Sequence, residues 1–415
     1  RLTNFNVEAQ CTPSRASLMT GRYPVRSGNT SVPITTGMYG LTQWEHTIAE
    51  MLSEKGYATA MYGKWHLGHT EGRFPTDQGF DEWYGVPNST DESYWAESQE
   101  FLDAAKEDLS PYMVPEYIYD GKKGSLPKKV KIYNLEERRE IDKTLTQRAI
   151  NFIERNSKSE SPFFIYLPYT QTHMPVLPSL EFEGKSGNGK YADVLMQLDN
   201  YVGQILDKIE QLNLKENTIV IFTSDNGPEM IPGHHGWNGP WSGSYFTAKE
   251  GSLRVPFIIR WPNKVPAGKV SNEIVHQMDI YTTIAALTGA DIPKDRIIDG
   301  VDHSDFFLGT SEKSAREGFV VYVGDYIFGV KWRNWKMLTK ELEGGRGTGK
   351  IVEYGFPHFY NLYDDPQEAY PWTPDKGGVF WVRWPMAEIL KEHSLSLQQE
   401  LPIKAGTPDP YSPKK

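Results

Sequence analysis

Short apolar runs typical of strands alternate with longer amphipathic segments typical of helices along most of the chain. This alternation predicts an α/β architecture, in which helices cover the faces of a sheet. With 415 residues, the chain is long enough for a large domain and a smaller one. The periodicity predicts helices at 43–55, 137–156, 191–212 and 278–287, and strands at 57–62, 163–167 and 218–223.

The pattern changes after about Gly309. Short strand-like segments joined by tight turns predict an antiparallel sheet there, and a final amphipathic segment predicts a helix. We therefore expect a main domain at 1–310 and a small C-terminal α+β subdomain at 311–415. Residues 96–136, rich in Glu, Lys, Pro and Tyr, predict an insertion at the surface. The predicted C-terminal elements are strands at 318–323, 326–332, 335–339 and 359–363, and a helix at 386–399.

Polar side chains directly follow three of the predicted strands. Lys64 and His66 follow the first strand, and His173 follows the second. Asp225 and Asn226 follow the third. Because ligands of open α/β sheets bind at the carboxyl ends of strands, these side chains predict a functional site. Each pattern taken alone is also typical of a structural role, since Asp-Asn-Gly favours a turn and Lys-x-His is common at surfaces.

Cys11 is the only cysteine in the chain, and it begins the segment Cys-Thr-Pro-Ser-Arg. A single thiol cannot form a disulfide within the chain, so Cys11 is either a small buried apolar residue or a reactive group. Pro13 suits the first turn of a helix that runs to Thr20, which would place Cys11 beside free backbone N–H groups. With Arg15 nearby, this helix start predicts a binding site for an oxyanion.

Residues 11–22, CTPSRASLMTGR, resemble the signature of the type I sulfatases, which is Cys-x-Pro-Ser-Arg followed by Leu-(Leu/Met)-Thr-Gly-Arg. Residues 63–68 match the Gly-Lys-Trp-His-Leu-Gly segment of that family, and His173 falls on its later histidine. Residues 250–256 match its Glu-Gly-Gly-x-Arg-x-Pro segment. The resemblance covers essentially the whole chain. It implies an alkaline-phosphatase-like α/β fold, with a central mixed sheet flanked by helices and a small C-terminal α+β subdomain.

The resemblance also implies a reaction, the hydrolysis of an aryl or carbohydrate sulfate monoester to an alcohol and sulfate. A formylglycine-generating enzyme would oxidise Cys11 to formylglycine, whose hydrate is the nucleophile. Arg15 and Lys64 would hold the sulfate oxygens. His173 would protonate the leaving oxygen, and His66 would act as the base that releases sulfate.

A divalent metal, usually calcium, belongs to the same resemblance. Asp225 and Asn226 fall on the family's second pair of metal ligands, and the hydrate at residue 11 would be a further ligand. The family's first pair is an Asp-Asp at the end of its first strand, which would lie upstream of Arg1. We therefore expect residues 1–415 to supply half of the oxygen ligands, to bind calcium weakly and to be poorly stable without that strand.

The segment before the Glu-Gly motif departs from the family pattern. The family has a lysine five residues before the glutamate, and this chain has Tyr245 there. Lys249 lies immediately before Glu250, at the wrong offset to replace that lysine. Lys249 is therefore a weaker candidate for contact with the substrate. His235 and Trp237 are further candidates of the same rank. The residues Trp237, Trp241, Tyr94 and Trp95 are expected to form an aromatic rim that stacks on a substrate ring.

The formal net charge of −10 gives no general attraction to nucleic acid or to anionic membranes. An anionic substrate would require a local cluster of cations. The longest apolar runs are far shorter than the roughly 18 residues of a membrane span. The family resemblance implies a periplasmic, secreted or lysosome-like location, and we expect any signal segment to lie upstream of residue 1. The oligomeric state is left open.

Two other functions are compatible with the same motifs. One is hydrolysis of phosphodiesters or phosphonate monoesters, because related enzymes share this fold. The other is a catalytically silent protein that only binds sulfated glycans, because the first Asp pair is not in this sequence. Relative rates on matched aryl sulfate and phosphate esters distinguish the first alternative, and turnover of any aryl sulfate excludes the second.

Overall fold

The computed structural model describes residues 1–408 except 34–38, 91–94, 96, 98, 100–101, 104–105, 107–115, 232–233, 346–348, 374–377 and 379. The chain divides into two compact units. Unit 1 contains residues 1–37 and 219–407, and unit 2 contains residues 38–218 and 408–415. Among the described residues, no helix combines the length and the apolar character needed to cross a membrane.

Strands and helices are interspersed along the described part of the chain. The strands are β1 (Leu2–Asn6), β2 (Ala58–Lys64), β3 (Glu82–Val86), β4 (Tyr117–Lys122), β5 (Lys128–Ile132), β6 (Phe163–Tyr166), β7 (Val220–Thr223), β8 (Met230–Ile231), β9 (His234–His235), β10 (Arg254–Arg260), β11 (Val275–His276), β12 (Gly318–Val323), β13 (Tyr326–Trp332), β14 (Trp335–Leu342) and β15 (Ile351–Asn361). The helices are α1 (Cys11–Thr20), α2 (Pro24–Ser27), α3 (Ile48–Glu54), α4 (Leu135–Asn156), α5 (Lys190–Gln211), α6 (Glu250–Leu253), α7 (Asp279–Thr288), α8 (Ser304–Leu308) and α9 (Arg383–Gln399).

Unit 1 contains a mixed sheet with the strand order β11-β1-β10-β7. β1 is parallel to β11 and antiparallel to β10, and β10 is antiparallel to β7. β1 and β7 therefore run in the same direction, and their carboxyl ends lie at the same edge as the start of β10. Phe5 and Phe257 stack at 4.4 Å in the core of this sheet, and α7 and α8 contribute Ile280 and Phe307 to the same cluster.

The C-terminal sheet of unit 1 is antiparallel, with the order β12-β13-β14-β15. The predicted strands at 318–323 and 326–332 are confirmed, and β14 continues beyond the predicted end to Leu342. The short strand predicted at 359–363 was wrong in its bounds. β15 runs from Ile351 to Asn361, and its first seven residues are all exposed or half-buried. Helix α9 packs on this sheet through Met386. The boundary near residue 310 stays a prediction.

Unit 2 contains a mixed sheet with the order β5-β4-β3-β2-β6. β2 is parallel to both β3 and β6, whereas β4 and β5 form an antiparallel hairpin beside β3. Ile141 and Leu145 of α4 pack on Tyr62 and Tyr84 of this sheet. The predicted α/β class is therefore confirmed, and each unit contains one mixed sheet. The prediction for residues 96–136 missed that this segment contains β4 and β5.

The helix predicted to begin at residue 43 begins at Ile48. Thr47 caps it, because the Glu50 backbone N–H donates to Thr47 Oγ1 at 3.1 Å and the Thr47 N–H donates to Glu50 Oε2 at 2.8 Å. This Thr-x-x-Glu capping box is a helix-start signal that apolar periodicity alone does not contain. The strand predicted at 163–167 is β6, and its four residues are half-buried.

Candidate active site

Cys11 is the first residue of α1, and 2% of its surface is exposed. Gln10 before it has an extended backbone and makes no capping hydrogen bond with its side chain. The helix ends at Gly21, which takes the left-handed conformation at φ 68° and donates its N–H to Ser17. The predicted helix to Thr20 is therefore confirmed. The N-terminus of a helix favours negative charge, so residue 11 lies in a position suited to an anion.

Arg15 lies one turn further along α1 and forms a salt bridge with Asp225, which follows β7. Arg15 Nε donates to Asp225 Oδ2 at 2.9 Å, and the second guanidinium nitrogen lies 2.7 Å from the same oxygen. The side chains are 6% and 23% exposed. Because β1 and β7 end at the same edge of the sheet, the topology places α1 beside the loop after β7.

In the Asp-Asn-Gly segment after β7, the backbone packing requires the glycine, and the hydrogen bonds orient the asparagine amide. Gly227 donates its N–H to Ser252 at 2.9 Å, and a Cβ at Gly227 would lie 2.0 Å from the Gly251 carbonyl oxygen. Only glycine fits this close backbone approach. Asn226 Nδ2 donates to the Gly227 carbonyl at 2.9 Å, so Oδ1 is the atom of this amide with ligand character.

A divalent metal can be tested against these donors. Asp225 and Asn226 are hard oxygen donors of the kind that calcium prefers. Calcium takes about six to eight oxygens, whereas the described residues contain no group of three or more His, Cys, Asp or Glu side chains arranged to hold a metal ion. The chemistry of the two donors suits calcium, but the described residues do not complete its coordination.

Tyr245 contacts the candidate nucleophile. Its hydroxyl lies 3.6 Å from Cys11 Sγ, and either group can donate the hydrogen bond. The pKa of Tyr245 is raised well above its ordinary value, first because the surrounding protein shields the phenol from water and next because of the charge of a Cys11 thiolate. In the sequence, Tyr245 stands out only as a departure from the family pattern. The contact with Cys11 comes from the fold.

Lys249 and Glu250 are engaged by the C-terminal part of unit 1. Lys249 Nζ donates to the Glu368 carbonyl at 2.9 Å, and burial lowers the pKa of Lys249. Glu250 is fully buried and accepts hydrogen bonds from Lys331 at 2.6 Å and Lys336 at 3.0 Å. The Lys331, Lys336 and Arg254 cations outweigh burial and hold the pKa of Glu250 well below its ordinary value. These contacts attach the Glu-Gly segment to β13 and β14.

The remaining candidates for substrate contact differ in exposure. Trp237 is 85% exposed, and His235 is exposed in the short strand β9. Trp241 instead lies under the Arg254 guanidinium, 4.0 Å from it. In unit 2, Trp95 packs on Tyr133 with ring centroids 5.3 Å apart. Trp241 and Trp95 are half-buried and have these partners, Tyr94 lies outside the described residues, and the aromatic rim stays a prediction.

Unit 2 joins two predicted residues through a third that was not predicted from the sequence. Lys64 Nζ donates to Ser89 Oγ at 3.0 Å, and Ser89 Oγ lies 3.2 Å from His173 Nε2. Because the ammonium can only donate, the Ser89 hydroxyl accepts from Lys64, and it keeps one proton and one lone pair for His173 Nε2. His173 Nδ1 faces Thr90 Oγ1 at 3.0 Å and the Met174 carbonyl at 3.2 Å. This arrangement favours the tautomer with the proton on Nδ1.

The sheet explains this grouping. Lys64 ends β2, Ser89 follows β3, and His173 follows β6, and these three strands are parallel neighbours. Their carboxyl ends therefore meet at one edge. The signal that could have identified Ser89 is the strand at 82–86, which was not among the predicted elements. His66 is fully buried at the same edge, with φ 60° and its N–H donated to Pro87 at 2.8 Å.

Comparisons with known proteins identify the family of this chain. Residues 1–290 match the sequence model of the Sulfatase family, and residues 233–370 match that of "N-sulphoglucosamine sulphohydrolase, C-terminal". The N-acetylgalactosamine-6-sulfatase of Canis lupus familiaris is 36% identical over 423 residues, covering 95% of this chain and 78% of that protein. The arylsulfatase H of Homo sapiens is 30% identical over 483 residues, covering 96% of this chain and 85% of that protein.

The fold has a solved counterpart of similar extent. The PsFucS1 sulfatase from Pseudoalteromonas sp. superposes with a TM-score of 0.90 at 28% identity, covering 98% of this chain and 84% of that one. Family match, relatives and fold agree over nearly the whole chain, with an alkaline-phosphatase-like architecture. The chain therefore belongs to the sulfatase family and is a hydrolase of sulfate esters.

Proposed function

We propose that this sulfatase hydrolyses a carbohydrate sulfate monoester and that residue 11 acts as formylglycine. The observation that carries the proposal is the position of Cys11, buried at the start of α1 beside the Arg15–Asp225 salt bridge. As the hydrate, residue 11 would supply one hydroxyl to attack sulfur and a second to release sulfate. The free N–H groups of the first turn of α1 favour the negative charge of such a group.

Arg15 has two roles in this proposal. Its guanidinium binds Asp225 and so keeps the loop after β7 against α1. Its positive charge also lies one helical turn from residue 11, where it favours a bound sulfate oxygen. Arginine suits both tasks because its planar guanidinium has five N–H donors and remains charged at every relevant pH.

Lys64, Ser89 and His173 supply a cation and a proton donor. We assign Lys64 to a sulfate oxygen and the protonated form of His173, which carries a proton on Nε2 as well as on Nδ1, to protonation of the leaving oxygen. Ser89 lies between them and orients both, since it accepts from Lys64 and faces His173 Nε2. His66 is assigned as the base that accepts a proton when sulfate is released. Its buried position and left-handed backbone restrict the orientation of its ring.

A divalent cation, with calcium as the first candidate, is proposed to bind Asp225 and Asn226. Their hard oxygens and the family resemblance support this assignment. When bound, the cation would neutralise charge on the sulfate. Because the described donors do not complete the coordination, we assign no catalytic step to it. The test is a thermal melt in EDTA and in calcium, where Asn226→Ala should reduce the calcium-dependent rise in Tm.

The proposed substrate class rests on the relative named N-acetylgalactosamine-6-sulfatase. Trp237 is exposed in unit 1 and offers an aromatic face of the kind that packs against sugar rings, with His235 as a polar neighbour in the chain. We also propose that a formylglycine-generating enzyme modifies Cys11. A periplasmic, secreted or lysosome-like location remains part of the proposal, on the family resemblance alone.

The test combines peptide mass spectrometry with a substrate panel. The full-length protein, expressed with a formylglycine-generating enzyme, should carry an aldehyde at residue 11 and hydrolyse 4-nitrophenyl sulfate and sulfated N-acetylgalactosamine. Cys11→Ala should lose all measurable turnover and keep its Tm, because one small side chain is removed. A fully alkylatable thiol in an active preparation would contradict the mechanism. A higher kcat/KM on a phosphonate monoester than on every sulfate ester would favour the rival hydrolase.

A further inference from the structure

The side chain that touches the candidate nucleophile has no role in the function proposed above. Tyr245 places its hydroxyl 3.6 Å from Cys11 Sγ. The sulfur marks the place that a hydroxyl oxygen of the modified residue would take. An oxygen at this position would be within reach of a hydrogen bond from the phenol after a small adjustment of either side chain.

The backbone holds Tyr245 at this place from two sides. Its N–H donates to the Pro228 carbonyl at 3.0 Å, and the N–H of Phe246 donates to the Ala9 carbonyl at 2.8 Å. Pro228 lies three residues after Asp225, and Ala9 lies two residues before Cys11. The tyrosine is therefore tied to both segments that carry the candidate site in unit 1. This arrangement pre-orients the hydroxyl toward residue 11.

We propose that Tyr245 is a catalytic residue whose neutral hydroxyl hydrogen-bonds to the reacting oxygen of residue 11, and that its lack of charge favours singly charged sulfate esters over doubly charged phosphate esters. The proposal rests on the proposed function, in which residue 11 is the nucleophile. It adds a residue and a reason for substrate selection.

The physical reason is the difference between a dipole and a charge. A phenol can donate a hydrogen bond while it remains neutral around neutral pH, because its ordinary pKa is about 10. A sulfate monoester carries one negative charge, whereas a phosphate monoester carries nearly two above a pH of about 6. Coulomb attraction scales with the product of the charges, so an ammonium at this position would favour the phosphate ester more than the sulfate ester.

The first test is Tyr245→Phe in the full-length protein. This variant keeps the ring and removes only the hydroxyl. We expect kcat on 4-nitrophenyl sulfate to fall about 10- to 100-fold with little change in KM, because the lost hydrogen bond acts mainly in the transition state. Tm and the fraction of residue 11 converted to aldehyde are measured in the same preparations. The matched control is Tyr326→Phe, at a tyrosine that is 52% exposed, and it should keep the parent kcat.

The second test is Tyr245→Lys, which replaces the neutral donor with a cation. We expect the ratio of kcat/KM for 4-nitrophenyl phosphate to that for 4-nitrophenyl sulfate to rise at least about 10-fold at pH 8. An unchanged ratio overturns the charge selection. It is measured even if the lysine variant is slower on both esters, since a general loss of activity does not alter the ratio.

The outcomes separate this proposal from the proposed function. A parent enzyme that hydrolyses sulfate esters, together with a fully converted Tyr245→Phe variant of equal kcat, overturns the role of Tyr245 and leaves the proposed function in place. A parent enzyme with the aldehyde at residue 11 that hydrolyses no sulfate ester overturns both. A loss of kcat in Tyr245→Phe, with the conversion and Tm of the parent, supports the proposal.

Discussion

Arg15 Nε donates to Asp225 Oδ2 at 2.9 Å, and this salt bridge joins the helix that carries Cys11 to the loop after β7. Both partners are largely shielded from water, with side chains 6% and 23% exposed. Removal of one partner from a shielded salt bridge lowers stability more than removal from an exposed one, because the remaining charge stays shielded from water without an opposite charge. The pair therefore links the stability of unit 1 to the geometry of the candidate site.

Arg15→Ala should reduce both stability and turnover. We expect the free energy of unfolding to fall by roughly 2–3 kcal/mol, somewhat less than for a fully buried pair, because Asp225 retains some exposure to water. We expect kcat/KM on an aryl sulfate to fall at least about 100-fold. Denaturant unfolding and steady-state kinetics measure the two effects. The control is Arg333→Ala, since the Arg333–Glu317 pair is 56% and 62% exposed and should contribute less than about 1 kcal/mol.

Lys64→Ala and Lys249→Ala should differ strongly in activity. Lys64 is 2% exposed and donates to Ser89 beside His173, so its loss should lower kcat by about 100-fold or more. Lys249 donates to the Glu368 carbonyl, so its loss should lower Tm by a few degrees and change kcat by less than about threefold. Steady-state kinetics on 4-nitrophenyl sulfate decides this comparison. Equal losses of kcat in the two variants would show that Lys249 contacts the substrate.

Ser89→Ala should alter the proton chemistry of His173 without removing it. The hydroxyl that faces His173 Nε2 at 3.2 Å would be lost, and the ring would keep its contact with Thr90 through Nδ1. We expect kcat to fall about 10-fold and the pH profile of kcat to shift. Ser125→Ala, at an exposed serine, is the control for a general effect of the substitution. A lower kcat with an unchanged pH profile would count against a positioning role for Ser89.

Glu8 should make stability depend on pH between its ordinary pKa of about 4.3 and its raised pKa of about 8. Burial, and next the charge of Asp299, raises the pKa of Glu8 to about 8, with Arg316 opposing the shift. His276 Nε2 lies 3.8 Å from Glu8, and burial lowers the pKa of that histidine to about 3. Above the ordinary glutamate pKa of about 4.3, the folded protein keeps the Glu8 proton that the unfolded chain releases. Its stabilising contribution is therefore complete at low pH and is lost as the pH rises toward 8.

Glu8→Gln tests this sign. The amide cannot ionise, so the variant should lose less stability than the parent between pH 5 and 8, where the Glu8 contribution changes by at most about 1.4 kcal/mol per pH unit. Urea unfolding at several pH values measures the difference. Below the ordinary histidine pKa of about 6.5, His276 binds a proton in the unfolded chain but not in the folded protein, and this difference lowers stability as the pH falls. Both proteins should therefore weaken together toward pH 4. Identical pH dependence above pH 5 would show that Glu8 is ionised in the folded protein.

Local sequence determined the chemistry of this protein because its signals are short and specific. Cys-Thr-Pro-Ser-Arg indicated the family, the proposed nucleophile and the helix start, and the structure has α1 at Cys11–Thr20. Alternation of strand and helix patterns predicted the α/β class, and Asp225 and Asn226 were predicted from their place after a strand. These features depend on residues near one another in the chain, where backbone preference and periodicity act directly.

Tertiary structure decided which side chains meet. Ser89 joins Lys64 to His173 because β2, β3 and β6 are parallel neighbours, and no motif in the chain encodes that adjacency. Tyr245 contacts Cys11 across a separation of 234 residues, through a loop held to Ala9 and Pro228. Lys249 instead donates to the carbonyl of Glu368, which follows β15. Contacts of this kind follow from strand order and from the packing of distant loops, which depend on the free energy of the whole fold rather than on any local segment.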